Sequence, residues 1–174
     1  FCALALCVIA LVACAATPAK KVLVLLTVET SQDMDLMLTK EVGVMISMIE
    51  KAGYKVVVAS ASGQPLVGSA TTLKPDLKLA DVKVEDYAGL ILPCLSPGTA
   101  AGFGSKPPEA IEIVKKAVAQ GKPVAAQLTA VDVLSKAGAL KGKQFAMVPQ
   151  YIQYFPEGTQ KGWGVVQDGN IITS

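Results

Sequence analysis

The sequence of 174 residues contains no histidine and no arginine, because every one of its sixteen basic residues is a lysine. Without histidine, no side chain has an unperturbed pKa near neutrality, so a general base would have to be a carboxylate or lysine with a shifted pKa. Imidazole metal sites are excluded as well. Without arginine, the bidentate fork that usually binds phosphate or carboxylate is missing. We therefore expect no metal and no cofactor.

Cysteine is scarce beyond the N-terminal stretch. Cys2, Cys7 and Cys14 lie at the start of the chain, and Cys94 stands alone in the body. The body therefore cannot form an internal disulfide, and no paired-cysteine spacing indicates a metal site. The net charge is only +2 and the lysines are spread along the chain, which argues against a nucleic-acid surface.

Residues 1–20 predict an export signal and a short linker. The apolar run 1–13 has the length of a signal-peptide core and is too short to span a bilayer. It lacks an initiating methionine and a charged start, so we expect the sequence to begin part-way through the signal. Residues 11–14, Leu-Val-Ala-Cys, resemble a bacterial lipobox, in which cleavage before Cys14 leaves a lipid-bearing cysteine. We expect a lipid-anchored protein on the periplasmic side of a bacterial envelope. The alternatives are an ordinary secretory signal, giving a secreted soluble protein, and an apolar terminal helix.

Residues 21–174 predict one α/β domain, and 52% of the chain is hydrophobic. Apolar runs at 21–27, 55–59, 87–93 and 123–126 predict buried parallel strands. Apolar residues at helical spacing predict helices from 34 to 52, from about 107 to 120 and from 129 to 137. Asp168-Gly169 predicts a hairpin over 165–172. The first strand, helix and strand form a βαβ unit with a right-handed crossover.

The stretch 122–130, Lys-Pro-Val-Ala-Ala-Gln-Leu-Thr-Ala, predicts a strand that turns directly into a helix. At the carboxyl end of a central strand, such an elbow aims one side chain into the crevice where ligands bind. The helix start is also expected to leave N–H groups free. The elbow carries Gln127, Leu128 and Thr129, so the reactive side chain that this architecture usually presents is missing.

Five segments, in this order, resemble the DJ-1/PfpI family, a branch of the class I glutamine-amidotransferase-like fold. They are Lys21-Val-Leu-Val-Leu, Lys51-Ala-Gly-Tyr-Lys-Val-Val-Val-Ala59, Asp86-Tyr-Ala-Gly-Leu-Ile-Leu-Pro93, Gly121-Lys-Pro-Val-Ala-Ala126 and Asp168-Gly-Asn-Ile-Ile-Thr-Ser174. The resemblance implies a flavodoxin-like three-layer sandwich with a mostly parallel sheet and helices on both faces. It also implies a homodimer, and a family domain that continues past Ser174, so we expect a truncated C-terminus.

The resemblance further implies an active site that this sequence alters. The family places a nucleophilic cysteine at the elbow, a glutamate early in the first helix, a Gly-Gly pair after the third strand and often a histidine nearby. The matching residues here are Leu128, Glu41, Cys94 with Leu95, and Val148. Leu128 cannot attack a substrate, and the side chains at 94 and 95 would crowd N–H groups that otherwise face an oxyanion. Loss of the nucleophile alone removes most of the rate of a covalent enzyme.

Two main hypotheses follow. In the first, the protein is a non-catalytic family member, a pseudoenzyme that binds a small molecule or an envelope protein in a crevice formed by Glu41, Cys94, Gln127, Leu128 and Thr129. In the second, it is a hydrolase or glyoxalase-like enzyme that uses Cys94 with Glu41. A holdase or structural role stays open, as some relatives are reported to have.

Each candidate residue also has a purely structural interpretation. Cys94 would be inert, because no cationic partner is evident to lower its pKa. Glu41 would be a solvated helix residue, and Thr129 would simply cap its helix.

Overall fold

The computed structural model describes residues 20–31, 33–94 and 103–174. The predicted lipidation site, Cys14, lies outside these residues, as does Leu95. Over the part of the chain that is described, no helix combines the length and the apolar character needed to cross a membrane.

The described residues form eleven strands, three helices and four short 3-10 turns. The strands are β1 Lys21–Leu26, β2 Lys55–Ser60, β3 Leu66–Val67, β4 Thr72–Leu73, β5 Leu77–Lys78, β6 Tyr87–Leu92, β7 Val124–Ala126, β8 Gln144–Ala146, β9 Thr159–Gly162, β10 Val166–Asp168 and β11 Ile171–Thr173. Helix α1 is continuous from 34 to 51 and consists of Met34–Leu36, a π-helical segment Met37–Val42, and Gly43–Lys51. Helix α2 is Pro108–Ala119 and α3 is Val131–Lys136. Short 3-10 turns are Leu79–Asp81, Val84–Asp86, Leu128–Ala130 and Pro149–Tyr154.

A seven-stranded sheet in the order β10-β11-β7-β6-β1-β2-β5 forms the centre of the domain. All its neighbouring strands are parallel except the edge pair β10 and β11. The predicted flavodoxin-like architecture with a mostly parallel sheet is confirmed. Because the strands are parallel, the carboxyl ends of β1, β6 and β7 lie at one edge of the sheet, where ligands bind in this architecture.

Both faces of the sheet are covered at β1, which explains why this strand is apolar at consecutive positions. Leu23 and Leu25 belong to the larger core, which includes residues of α2 and α3, whereas Val24 and Leu26 pack in the smaller core with α1. On the α1 side, the side chains of β6, β7 and β11 are covered less completely, and Ile91, Ala125 and Ile172 are half-buried there.

Two parts of the topology were not predicted. Strand β5 extends the sheet at its edge, and β8 pairs with β9 in a separate parallel two-stranded sheet. Both pairs join residues separated by long loops, where no local periodicity indicates a partner. The predicted hairpin near the C-terminus is present, with Gly169 at φ 64° in its turn.

The Asp35 side chain, at the start of α1, is hydrogen-bonded to the turn of the β3–β4 hairpin. Its carboxylate accepts backbone hydrogen bonds from Ser69 at 2.8 Å, Ala70 at 3.0 Å and Thr71 at 2.8 Å. These bonds, with that from Ala70 largest, hold the pKa of the Asp35 carboxyl below its usual value of 3.8. The contacts fix the hairpin against the helix that carries Glu41.

We predict that Asp35→Asn loosens this hairpin at neutral pH and has no further effect in acid. A lowered folded-state pKa contributes stability that is present above the unfolded value and is lost as the pH falls through the folded value. Amide hydrogen-exchange protection factors at residues 69–71 should therefore fall in the variant at pH 6 and converge with the wild type as the pH drops below about 3.8. The exposed Asp81→Asn is the matched control, and equal protection at pH 6 in both variants would contradict the prediction.

Candidate functional site

The elbow after β7 has the strained backbone of a nucleophile turn but carries leucine at its apex. Gln127 is extended, and Leu128, with φ 46°, is the sole non-glycine residue with positive φ in the described part of the chain. A left-handed conformation at a branched side chain costs on the order of 1–3 kcal/mol and is typical of functional sites. The predicted placement of Leu128 at the turn between strand and helix is therefore what the structure shows.

The backbone N–H of Leu128 is already used. It donates to the carbonyl oxygen of Ser174 at 2.7 Å, and the Ser174 N–H donates to the carbonyl of Ala126 at 3.2 Å. This N–H is therefore not one of the free donors expected at the helix start, because Ser174, directly after β11, lies beside the elbow.

Cys94, Gln127 and Thr129 meet beside the elbow. Cys94 follows β6 and is 4% exposed. Its sulfur lies 3.1 Å from the Thr129 hydroxyl, and its N–H donates to Gln127 Oε1 at 3.4 Å. The interpretation of Thr129 as a helix cap is wrong, since its hydroxyl contacts the thiol and makes no capping bond. Three of the predicted crevice residues are thus in direct contact.

A buried charged cluster adjoins the thiol. Lys106 is 6% exposed and Asp132 is 4% exposed. Burial is the largest influence on the Lys106 ammonium and lowers its pKa. The Asp132 carboxylate raises this pKa, Lys136 lowers it and Cys94 raises it. Lys136 makes an ion pair with Asp132. An electrostatic interaction joins Lys106 to Cys94, and nothing in the sequence indicates this neighbour.

Glu41 lies in the π-helical segment of α1. Its Oε2 atom is buried and has no hydrogen-bond partner among the described residues. One turn further along the helix, Met45 lines an apolar cavity of about 100 Å³ with Leu92 and Gln127. Because α1 runs antiparallel to the strands, Glu41 is one turn nearer than Met45 to the carboxyl edge of the sheet. Glu41 as a whole is partly exposed, but its Oε2 atom is not solvated as the structural interpretation expected.

The π-helical turn depends on Gly43. Its N–H donates to the carbonyl of Leu38 five residues earlier. A Cβ atom at position 43 would lie 2.8 Å from that same oxygen, closer than two such atoms tolerate. π-turns are rare and frequently occur at functional sites.

We predict that Gly43→Ala lowers the free energy of unfolding by about 1–2 kcal/mol, although alanine favours ordinary helices by about 1 kcal/mol over glycine. The reason is the contact with the Leu38 carbonyl. Urea denaturation measures the change, with Val44→Ala at an exposed neighbouring position as the control. A stabilised Gly43→Ala would show that the segment relaxes to an ordinary α-helix without cost.

The pairing of Cys94 with Glu41 is not formed. The thiol contacts Thr129, and Glu41 Oε2 has no partner among the described residues. Val148, which the sequence resemblance matched to a histidine, is partly buried against the larger core. Within the described residues, no group of three or more cysteine, aspartate or glutamate side chains could hold a metal ion.

The family model for DJ-1/PfpI matches residues 20–174. The chain belongs to the DJ-1/PfpI family. An uncharacterized protein of Archaeoglobus fulgidus is 38% identical over 136 residues, which cover 72% of this chain and 75% of the relative. Deglycase PfpI of Pyrococcus furiosus is 29% identical over 139 residues, which cover 72% and 76%. Drosophila melanogaster DJ-1beta is 26% identical with a TM-score of 0.67, and the match covers 90% of this chain and 81% of that one.

This member of the DJ-1/PfpI family therefore combines a strained elbow with an apolar apex, a buried thiol and an unsatisfied carboxylate oxygen. Sequence reasoning missed Lys106 and Asp132. The spacing of Asp132 and Lys136 is that of a helical ion pair and could have been noticed. Nothing in the sequence near Lys106 indicates that its side chain is buried.

Proposed function

We propose that the protein binds a small molecule without covalent chemistry, in the crevice between α1 and the elbow. The observation that carries the proposal is Leu128 at the strained apex, with φ 46°. The turn follows β7 at the carboxyl edge of the sheet, where ligands bind in this fold, and a leucine at its apex supplies no nucleophile. The strain is the kind that persists where the surrounding structure holds a functional geometry.

A further feature supports binding. The floor of the crevice is an apolar cavity of about 100 Å³, lined by Met45, Leu92 and Gln127 among others. A small apolar cavity beside a few polar groups is the usual form of a ligand site.

A second candidate is an enzyme that uses Cys94 with Glu41. It is favoured by the position of Lys106, whose ammonium would stabilise a thiolate, and by the two archaeal relatives at 29% identity that are named deglycases. Against it stand the 4% exposure of Cys94 and its contact with Thr129 rather than Glu41.

The test combines binding and turnover on the purified domain. We expect a library of small fragments to shift the NMR resonances of Ala126, Gln127 and Leu128, and dicarbonyl, peptide and amide substrates to remain unconverted. Cys94 should react with iodoacetamide no faster than a free thiol. Turnover that is lost in both Glu41→Gln and Cys94→Ser, with rapid alkylation of Cys94, would establish the second candidate instead.

We also propose that the protein is exported and anchored by lipid at Cys14. The support is the apolar run ending in Leu-Val-Ala-Cys at residues 11–14. Metabolic labelling with an alkyne fatty acid in a bacterial host should modify the wild-type chain and Cys7→Ser but not Cys14→Ser. Labelling that persists in Cys14→Ser would refute this assignment.

A further inference from the structure

An open apolar groove lies between α1 and the sheet, on the side of the domain where β1 and β2 begin. It has a volume of about 400 Å³, and Val22, Met48, Tyr54 and Ile91 are among the residues that line it. Two of these large side chains are open to solvent, since Met48 is 66% exposed and Tyr54 is 39% exposed. A contiguous apolar patch of this kind marks an interaction surface.

Lysines outnumber carboxylates around this groove. At the amino ends of β1, β2 and β6, the exposed lysines are Lys20, Lys21, Lys51, Lys55 and Lys83, and the exposed carboxylates are Glu50, Glu85 and Asp86. Lys21 and Lys55 are partners in the register of neighbouring strands. None of these lysines forms an ion pair with another residue of the described ranges. An apolar groove bordered by unpaired positive charge is complementary to an anionic surface.

The proposed lipid anchor joins the domain at this same edge. Lys21 begins β1 seven residues after Cys14, and Val22 already lines the groove. A chain of seven residues spans at most about 25 Å when fully extended. A lipid on Cys14 would therefore hold the groove within that distance of the bilayer.

Resting on the proposed lipid anchor, we propose that the groove is a membrane contact, which lies against the anionic phospholipid surface that holds the lipid of Cys14. Met48 and Tyr54 would enter the interfacial layer, where apolar side chains and tyrosine rings are favoured. The lysines at the border would meet the phosphate headgroups. Because the anchor keeps the groove near the surface, contacts too weak to bind alone can hold the domain in one orientation.

Two positions of a single tryptophan test this orientation. Trp163 is the one tryptophan of the chain and is 76% exposed. It lies shortly before β10, which begins beside Thr173 at the carboxyl end of β11, so it is at the opposite edge of the sheet. In a Trp163→Phe background, Tyr54→Trp moves the indole to the groove.

Both proteins are purified with their lipid and reconstituted into vesicles of phosphatidylglycerol and brominated phosphatidylcholine. We expect bromine to quench the indole at position 54 strongly and that at position 163 little. Raising the salt from about 0.1 M to about 1 M shortens the screening length from about 10 Å to about 3 Å. Quenching at position 54 should therefore weaken at high salt, and also when the phosphatidylglycerol is replaced by neutral lipid.

Matched variants in the background with the indole at position 54 separate the apolar and the charged contributions. Met48→Gln should reduce the quenching, and Lys55→Gln should lower the docking equilibrium about fivefold. The controls are Leu36→Gln, 50% exposed at the other end of α1, and Lys78→Gln, at the carboxyl edge of the sheet. Both controls should leave the quenching unchanged.

The outcomes separate the membrane contact from the anchor. A lipid-bearing protein with no quenching at position 54, or with equal quenching at both positions, would overturn the contact and leave the anchor intact. A dimer in sedimentation equilibrium that shields the indole at position 54 from lipid would assign the groove to a second copy of the chain instead. Absence of the fatty-acid label at Cys14 would refute the anchor and the contact together.

Discussion

Asp132→Ala is expected to lower the free energy of unfolding by about 3 kcal/mol or more. Asp132 is 4% exposed, forms an ion pair with Lys136 and opposes the burial penalty on Lys106, which is 6% exposed. Removing one partner of a buried ion pair leaves an uncompensated charge, which typically costs about 3–5 kcal/mol. Here the buried Lys106 would lose the carboxylate that opposes its burial penalty.

Urea denaturation at pH 7 measures this loss. Glu112→Ala is the matched control, because Glu112 forms an exposed pair with Lys115, and such pairs contribute about 0–1 kcal/mol. Adding Lys106→Met to Asp132→Ala should recover part of the stability, since it removes the buried charge. If Asp132→Ala costs no more than Glu112→Ala, the cluster is better solvated than its burial indicates.

The same cluster predicts a dependence on alkaline pH. Burial lowers the pKa of Lys106 below its ordinary value of 10.5. Between the folded and unfolded pKa values the unfolded chain binds more protons than the folded one, so this lysine makes stability rise with pH across that window. Lys106→Met should flatten the rise, and Lys141→Met, at an exposed position, should preserve it. An equal slope in both variants would contradict the burial effect on Lys106.

Most of the fold was predictable because the sequence patterns that indicate its strands and turns are local. Consecutive apolar residues in β1, β2 and β6 indicate strands buried on both faces, and the turn residues between them are read from a few positions. Strand β5 and the pairing of β8 with β9 were missed, because short strands in long connections carry no periodicity and their pairing depends on distant segments. The π-helical form of residues 37–42 was also not predicted, since its apolar spacing resembles that of an ordinary helix.

The site was predictable only in part, for a related reason. The position of Leu128 follows from the strand-to-helix junction, which is local. The contact between Cys94 and Thr129, the burial of Lys106 and the occupation of the elbow N–H by Ser174 all join residues far apart in the chain. The sequence shows which groups exist, whereas hydrogen-bond satisfaction is a property of the assembled fold.

Glu41→Met is expected to raise the free energy of unfolding by about 1–3 kcal/mol. The glutamate leaves a buried oxygen without a partner, and an unsatisfied buried polar group costs about that amount or more. Methionine is unbranched, similar in length and adaptable in irregular apolar surroundings, so it should pack beside Met45 without a cavity. Residues kept for binding often reduce stability in this way.

Chemical denaturation of the ligand-free protein measures the gain, and Glu50→Met is the control. Glu50 is exposed on the same helix, so its replacement should change stability by no more than about 0.5 kcal/mol. A destabilised Glu41→Met would mean that the carboxylate supports the fold.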